Sequence, residues 1–388
     1  MELITISDDR DFSSLRAQWN DLLAQSRQDG PFLRHEWLET WWESFGTGHD
    51  ALSVLICRDG SGGDLVGALP IFRTRQGRVV GARMVRLLGD EHVGSVGLGA
   101  FSRPDVEAEV AQRLAERLRD EPWDVLALRA LDADSPLLGL AETGTRAGRV
   151  RMVTGAQACP RVALPSDWEA YLAETLGSHS RRGVRQSRRD AEAAGAQLEL
   201  IEDAAALPQA SDDLLRLFEC RMRRVVDQGY RVTPQLRTFV ARMLPLLLSQ
   251  GRLVLAFLTI GGERVAVEYS FRYGDTLYGL MSGFEERWAK QAVYKALFGY
   301  VVERAIAQGC STLDLGLGDQ EHKRGWGVTE VRRFFDLTLY SGSFAGQMRR
   351  LEDVAVSRAE KAVLSAPGWL VAPLTRAGRA ARRFARGM

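Results

Sequence analysis

Glu268 stands in Val265-Ala266-Val267-Glu268-Tyr269-Ser270-Phe271. Period-2 alternation puts Val265, Val267, Tyr269 and Phe271 on one face of a strand and Ala266, Glu268 and Ser270 on the other. A carboxylate on a central strand could be a base whose pKa is raised by burial, or an ordinary Glu on a solvated face. Asp314, flanked by Leu313 and Leu315, precedes Gly316-Leu317-Gly318-Asp319. The C-terminal end of a strand is a common ligand site, and a turn-capping Asp is the other reading. His322, Lys323 and Trp326 follow. Histidine transfers protons near neutral pH, the lysine could hold a substrate carboxylate or phosphate, and the tryptophan is either packing or a substrate platform. Arg181, Arg182, Arg185, Arg188 and Arg189 fall within nine residues at helical spacing. That density favours phosphate contact over a merely solvated face.

The elements that must position these groups follow from hydrophobic periodicity. Helices are expected at Asp11 to about Gln25 and at Glu36 to Phe45. A hairpin of strands, Leu52–Cys57 and Leu65–Arg73, flanks the Gly/Asp cluster at 59–64. Strands follow near Val79–Leu88 and Val93–Leu98, then a helix from Pro104 to about Leu118 and a strand at Asp124–Leu128. The second half repeats this order. Helices are expected at Trp168–Leu176, Ser180–Ala194, Asp212–Val226 and Pro234–Leu248. Strands at Arg252–Ile260, Arg264–Tyr273 and Thr276–Met281 form a meander. A long helix, Ala289–Gln308, ends at Gly309, and a strand, Thr312–Leu315, closes the half. A meander followed by a crossover helix and a parallel strand is an α+β arrangement. The segment after Ser343 reads as helical, with a break at Pro367-Gly368.

Composition bounds the partners. The 388 residues suffice for two domains. With 45% apolar and 26% charged residues they are ordinary globular chain, neither disordered nor fibrous. The formal charge of +1 argues against a general nucleic-acid binder, and no DNA partner is expected. The charge is uneven, however. Nine Lys/Arg against three acids make residues 344–388 a +6 tail on a −5 body. That tail mixes basic turns with apolar residues and resembles an interfacial segment that could touch anionic lipid. Cys57, Cys159, Cys220 and Cys310 show no CxxC pairing, so neither a metal site nor a disulfide framework is expected. No secretory leader and no spanning run of apolar residues is visible. Cytoplasmic residence is the expectation, with the inner-membrane surface as an alternative.

Four stretches in order resemble the BioF2-like (CelD/BcsL-type) branch of the GNAT acyltransferases, related to the FemAB aminoacyltransferases. They are Phe32…His35-Glu36-Trp37-Leu38…Trp41-Trp42…Phe45-Gly46; Leu65-Val66-Gly67-Ala68-Leu69-Pro70-Ile71; Leu164-Pro165…Trp168…Tyr171-Leu172 with the arginine run; and Gly283-Phe284 followed by Leu313-Asp314-Leu315-Gly316 and Lys323…Trp326-Gly327. Two departures stand out. A Ser-Pro-Gly-like helix start is replaced by Ala289-Lys290-Gln291-Ala292, and the dipeptide before the tryptophan is His322-Lys323.

The resemblance implies two tandem GNAT-like domains, residues 1–155 and 156–343, each a mixed, mostly antiparallel sheet flanked by helices, followed by the 344–388 tail. The active site is expected mainly in the second. It also implies an acyltransferase moving an acetyl or longer acyl group from acyl-CoA or an acyl carrier to an amine or hydroxyl. The acceptor would be a small molecule or glycan of envelope or exopolysaccharide metabolism. Such transfer needs helix N–H groups for the donor's pyrophosphate, a preorganised oxyanion donor and a base. Arg181, Arg185, Arg287, Lys290 and Gln291 are the expected donor contacts. Glu268, Asp314 and His322 are the candidate catalytic groups, and Lys323, Trp326 and Tyr269 would contact substrate. A FemAB-like transferase using aminoacyl-tRNA, and a non-catalytic scaffold keeping the fold, are the alternatives.

Overall fold

The computed structural model describes residues 1–77, 81–140, 150–225 and 229–365. In the first half β1 (Glu2–Ile6) leads to α1 (Asp9–Ser14), α2 (Arg16–Gln25) and α3 (His35–Phe45). The expected single first helix is thus broken at Leu15, after Asp8 caps α1 through the N–H groups of Arg10 and Asp11. The expected hairpin strands also divide. β2 (Ala51–Leu52) and β3 (Val54–Arg58) part at Ser53; β4 (Leu65–Leu69) and β5 (Ile71–Gln76) part at Pro70. Proline cannot donate to a ladder, and here the chain passes from one sheet to another. β1, β3, β4 and β7 (Phe101–Ser102) form a four-stranded sheet in the order β1-β3-β4-β7. β2, β5, β6 (Ala82–Leu87) and β8 (Val125–Asp132) join the larger sheet, with α4 (Glu107–Asp120) connecting β7 to β8.

The strand expected at Val93–Leu98 does not form. Glu91, His92, Gly94 and Gly97 there all have positive φ, incompatible with a pleated ladder, and the segment is a loop touching β8 through a single bridge from Leu98 to Leu131.

In the second half β9 (Val150–Ala163) is followed by short helical turns at Trp168–Ala170 and Tyr171–Thr175, then α5 (Ser178–Ala193), β10 (Gln197–Leu200), α6 (Leu207–Val225) and α7 (Pro234–Ser249). The meander β11 (Leu253–Ile260), β12 (Glu263–Tyr273) and β13 (Thr276–Phe284) leads through α8 (Val293–Ala307) to β14 (Thr312–Asp314). α9 (Glu321–Arg324), β15 (Glu330–Tyr340) and α10 (Phe344–Ser365) complete the described chain. The break expected at Pro367-Gly368 lies outside the described residues. Within them no helix is long and apolar enough to cross a membrane.

The larger sheet has eleven strands in the order β10-β11-β12-β13-β14-β9-β15-β8-β6-β5-β2. Each half contributes an antiparallel pair followed by a parallel strand: β12-β13-β14 in one, β5-β6-β8 in the other. The next strand is exchanged. β9, which follows β8 in the chain, pairs with β14 of the second half, and β15, which follows β14, pairs with β8 of the first. β9 and β15 then pair with each other, making one continuous sheet. An aromatic cluster fastens the halves as well: Trp37 of α3 lies 5.2 Å from Phe239 of α7 and 5.8 Å from Phe271 of β12. The motif residues of the first half therefore serve the interface between repeats.

Candidate functional site

The parallel pairing of β13 with β14 lasts three residues and ends at Tyr278 opposite Asp314. β13 continues to Phe284, but the chain after Asp314 turns onto β9, where the Leu315 N–H donates to the Pro160 carbonyl at 3.0 Å and the Gly318 N–H to Ala158 at 2.8 Å. The strands splay. A register skip between Tyr269 and Ser270 bulges β13 at Leu280 beside the gap. The gap is a pocket of about 200 Å³ whose lining includes Glu268, Arg221, Tyr294, His322, Lys323 and Trp326. The equivalent place in the first half, where β6 leaves β8, is occupied by the Leu98 segment.

Glu268 is 2% exposed. Ser270 Oγ donates to its Oε1 at 2.6 Å and Tyr294 Oη to its Oε2 at 3.0 Å. Burial pushes its pKa up to about 7, against the pull of those hydrogen bonds and of Arg221 and Lys323. Lys323 of α9 is 9% exposed, with Nζ donating to the carbonyls of Gly316 at 2.9 Å and Leu317 at 2.6 Å. Burial lowers its ammonium to about 8. His322 is held below its ordinary value by burial, then by Arg221 and Lys323. Arg221 reaches in from α6, its Nη1 donating to Ser282 Oγ at 2.5 Å. Trp326 packs edge-on against Phe298 with ring centres 4.7 Å apart, and its carbonyl accepts from Tyr171 Oη at 2.9 Å. Val93 and Gly94, from the first-half loop, form part of the wall.

The structure thus gathers Glu268, His322, Lys323 and Trp326, and separates the other expected residues. Asp314 accepts from Arg161 Nε at 2.9 Å, Cys159 Sγ at 3.1 Å and the Gly316 N–H at 2.9 Å. It is a buried strut beneath the turn that carries the Lys323 carbonyl partners, and it does not line the pocket. Tyr269, fully buried, belongs to the core shared by the two halves, because the alternation of β12 points it away from Glu268. Arg287 is exposed and ion-paired to Glu263 and Glu285, which draw it onto the β12 surface and away from the pocket. Lys290 is exposed and Gln291 half-buried in the 3-10 turn Glu286–Gln291; neither lines the pocket. Ala292 then takes a left-handed conformation (φ 51°) before α8 begins. On α5, Arg181 donates to the Ala173 carbonyl and Arg185 pairs with Glu169. Arg188 lies 4.3 Å from the ring centres of both Trp168 and Tyr300 and pairs with Glu303. None of the three lines the pocket; each is taken up by a local partner on the outside of the second half.

Sequence reasoning passed over Arg221, Ser282 and Tyr294. Arg221 sits in Cys220-Arg221-Met222-Arg223-Arg224 and looks like any charge on an amphipathic helix. Tyr294 did carry a signal: it precedes Phe298 by four residues, on one helix face with it. Among the described residues no group of three or more His, Cys, Asp and Glu is placed to hold a metal ion.

Residues 178–324 match the acetyltransferase (GNAT) domain family. No curated protein matches the sequence significantly. Among solved structures the chain resembles FemX (TM-score 0.56, 10% identity, covering 87% of this chain and 97% of that one). It also resembles a conserved protein of unknown function from Bacteroides thetaiotaomicron VPI-5482 (TM-score 0.55, 12% identity, 87% and 100%). L-PGS from Bacillus licheniformis is a third neighbour (TM-score 0.50, 13% identity, 88% and 96%). These likenesses run through both halves and show the fold: two GNAT-like repeats, of which the second carries the splayed pocket.

Proposed function

We propose that this chain, whose residues 178–324 match the acetyltransferase (GNAT) domain family, moves a short acyl group from an acyl-CoA thioester to an amine or hydroxyl acceptor in the β13–β14 pocket. The observation that supports this most is the placement of a buried carboxylate, Glu268, with a pKa near 7, beside a carbonyl-anchored ammonium, Lys323, where two parallel strands part.

Acyl transfer makes a bond from the acceptor nitrogen or oxygen to the carbonyl carbon and breaks the carbon–sulfur bond. The acceptor must lose a proton as it attacks. Glu268, ionised in part at neutral pH, takes that proton. The carbonyl oxygen gains negative charge in the tetrahedral intermediate. Lys323, desolvated and fixed by two carbonyls, offsets that charge without having to reorganise. The proton that Glu268 takes is the one the departing thiolate needs, and His322, kept neutral by its surroundings, can relay it by accepting at one ring nitrogen as it donates from the other. No covalent enzyme intermediate is involved. About 200 Å³ is room for a short acyl group together with the attacking atom.

A second reading, transfer of an aminoacyl group from tRNA, draws on the exposed Arg182, Arg185 and Arg189 of α5. One experiment separates the two. The full chain is incubated with acetyl-CoA and a panel of amines and alcohols, and free thiol is followed. Acceptor-dependent thiol release that Glu268→Gln abolishes supports the first reading. Absence of release and of any coenzyme A binding, with transfer from charged tRNA, overturns it.

A further inference from the structure

Arg221 differs from three other arginines that contact the second-half sheet. Arg161 is paired with Asp314, Arg216 with Glu285 and Arg264 with Glu199. Arg221 is half-buried, lines the pocket, and has no carboxylate at ion-pair distance among the described residues. Its hydrogen bonds leave from one nitrogen, Nη1, to the Ser282 hydroxyl at 2.5 Å and the Ser282 carbonyl at 3.4 Å. Those bonds fix the guanidinium and leave Nε and Nη2 without a described acceptor. Lys323 uses two of its three N–H donors on carbonyls and has no ion pair either. Glu268 is the only carboxylate among the lining residues, and its own oxygens are taken by Ser270 and Tyr294.

A small, partly dry pocket holding two unpaired cations is expensive. An arginine fork suits a planar or tetrahedral oxyanion, which it can bind through two parallel hydrogen bonds. We infer that the pocket recognises an oxyanion, a carboxylate or a phosphate, carried by the acceptor, with the Arg221 fork as its anchor and Lys323 adding positive charge nearby while its one free N–H is left for the developing oxyanion. The substrate class is therefore an anionic amine or alcohol: an amino acid or amino-acid-like group in the carboxylate case, an amino- or hydroxyalkyl phosphate in the other. The inference rests on the acyl-transfer reading of the same pocket for the identity of the ligand as acceptor, and on the pocket's geometry alone for the anion.

The test uses the full chain with its histidines isotopically labelled, and takes the His322 ring resonances as reporter, because His322 lines the same pocket. Acetate and inorganic phosphate are titrated at constant ionic strength, with chloride as the control. One of the two oxyanions is expected to shift the His322 signals saturably and to move its titration upward, as an added negative charge must. Arg221→Gln weakens that binding at least tenfold. Arg221→Lys, which keeps the charge and loses the fork, falls between, and confirms that the loss is not one of folding. Arg224→Gln, next turn on the helix and stacked on Phe284, binds as wild type. The anion that binds more tightly identifies the class. The inference is overturned if neither oxyanion moves His322 in the wild type, or if Arg221→Gln binds as well. Thioester cleavage measured on the same samples keeps the two claims apart: intact turnover without anion binding defeats this inference and leaves the acyltransferase reading standing.

Discussion

Tyr294 Oη, in the first turn of α8, donates to Glu268 Oε2 at 3.0 Å, so the helix that follows β13 steadies the carboxylate on the pocket floor. Burial raises the pKa of Glu268 to about 7, and this bond opposes the rise. The rate of acyl transfer should therefore climb with pH through about 7. Tyr294→Phe removes a stabiliser of the charged form and should move that limb to higher pH. Glu268→Gln should lower kcat by 10²–10⁴ and abolish the limb. A pH–rate profile of the three proteins checks this.

The same carboxylate links stability to pH. Its folded pKa lies above the ordinary value of 4.5, so the contribution is fully present below pH 4.5 and is lost as pH rises through about 7. Wild-type stability should fall between pH 5 and 8, by up to about 3 kcal/mol from this group. Glu268→Gln, neutral at every pH, should be flatter and the more stable protein at pH 8. Urea unfolding at the two pH values reads the difference. A gain of stability together with a loss of turnover is what a functional site predicts; a loss of both would mean that Glu268 is structural.

Lys323 sets the other side of the profile. Burial holds its ammonium at about 8, so the charge that offsets the developing oxyanion disappears at mildly alkaline pH. The optimum should be narrow, near pH 7.5. Lys323→Met should remove the alkaline limb and cost about 10²–10³ in kcat. The variant keeps the methylene packing but leaves the Gly316 and Leu317 carbonyls without their donor, so a modest fall in Tm accompanies it.

The order of helices and strands in the second half was legible because each element is long and strongly periodic, and because the residue resemblance fell on them. The first half was harder. Ser53 and Pro70 divide runs of uninterrupted apolar character between two sheets, and periodicity does not register a change of partner. The exchange of β9 and β15 was invisible for the same reason: pairing between residues so far apart in the chain leaves no local mark. In the site, Glu268 could be found because alternation gave its face, whereas Arg221 could not, since what distinguishes it is the absence of an acid that only the fold would have brought. Arg287 near a helix start and Arg185 in a dense basic run both suggest phosphate, and neither pattern registers the carboxylate from another element that reaches the arginine first.

Gly283 marks where the pocket wall meets helix α6. A Cβ there would lie 2.1 Å from the Leu217 carbonyl oxygen, a backbone atom that cannot step aside. Gly283→Ala should push α6 off β13 and cost more than about 2 kcal/mol, as overpacking in a rigid core does. Because α6 carries Arg221, the variant should also lose oxyanion binding out of proportion to its fraction folded. Calorimetry and the His322 titration together measure this.

The loop from the first half reaches the pocket on strained backbone. Glu91 and His92 are consecutive non-glycine residues at φ 65° and 66°, a conformation costing on the order of 1–3 kcal/mol each. They are held there by ion pairs from Glu91 to Arg86 and Arg129 and by stacking of His92 on Phe45 at 4.5 Å. The loop that they brace brings Val93 and Gly94 to the pocket. Gly94 has φ 70°, and a Cβ built on it meets nothing within 4 Å. Asparagine tolerates that conformation better than other side chains, so Gly94→Asn should lower Tm only modestly while filling space at the acceptor's approach. KM for the acceptor should rise severalfold with KM for the acyl-CoA unaltered. Should both rise together, the loop would border the donor instead, and the acceptor would have to enter between α6 and α9.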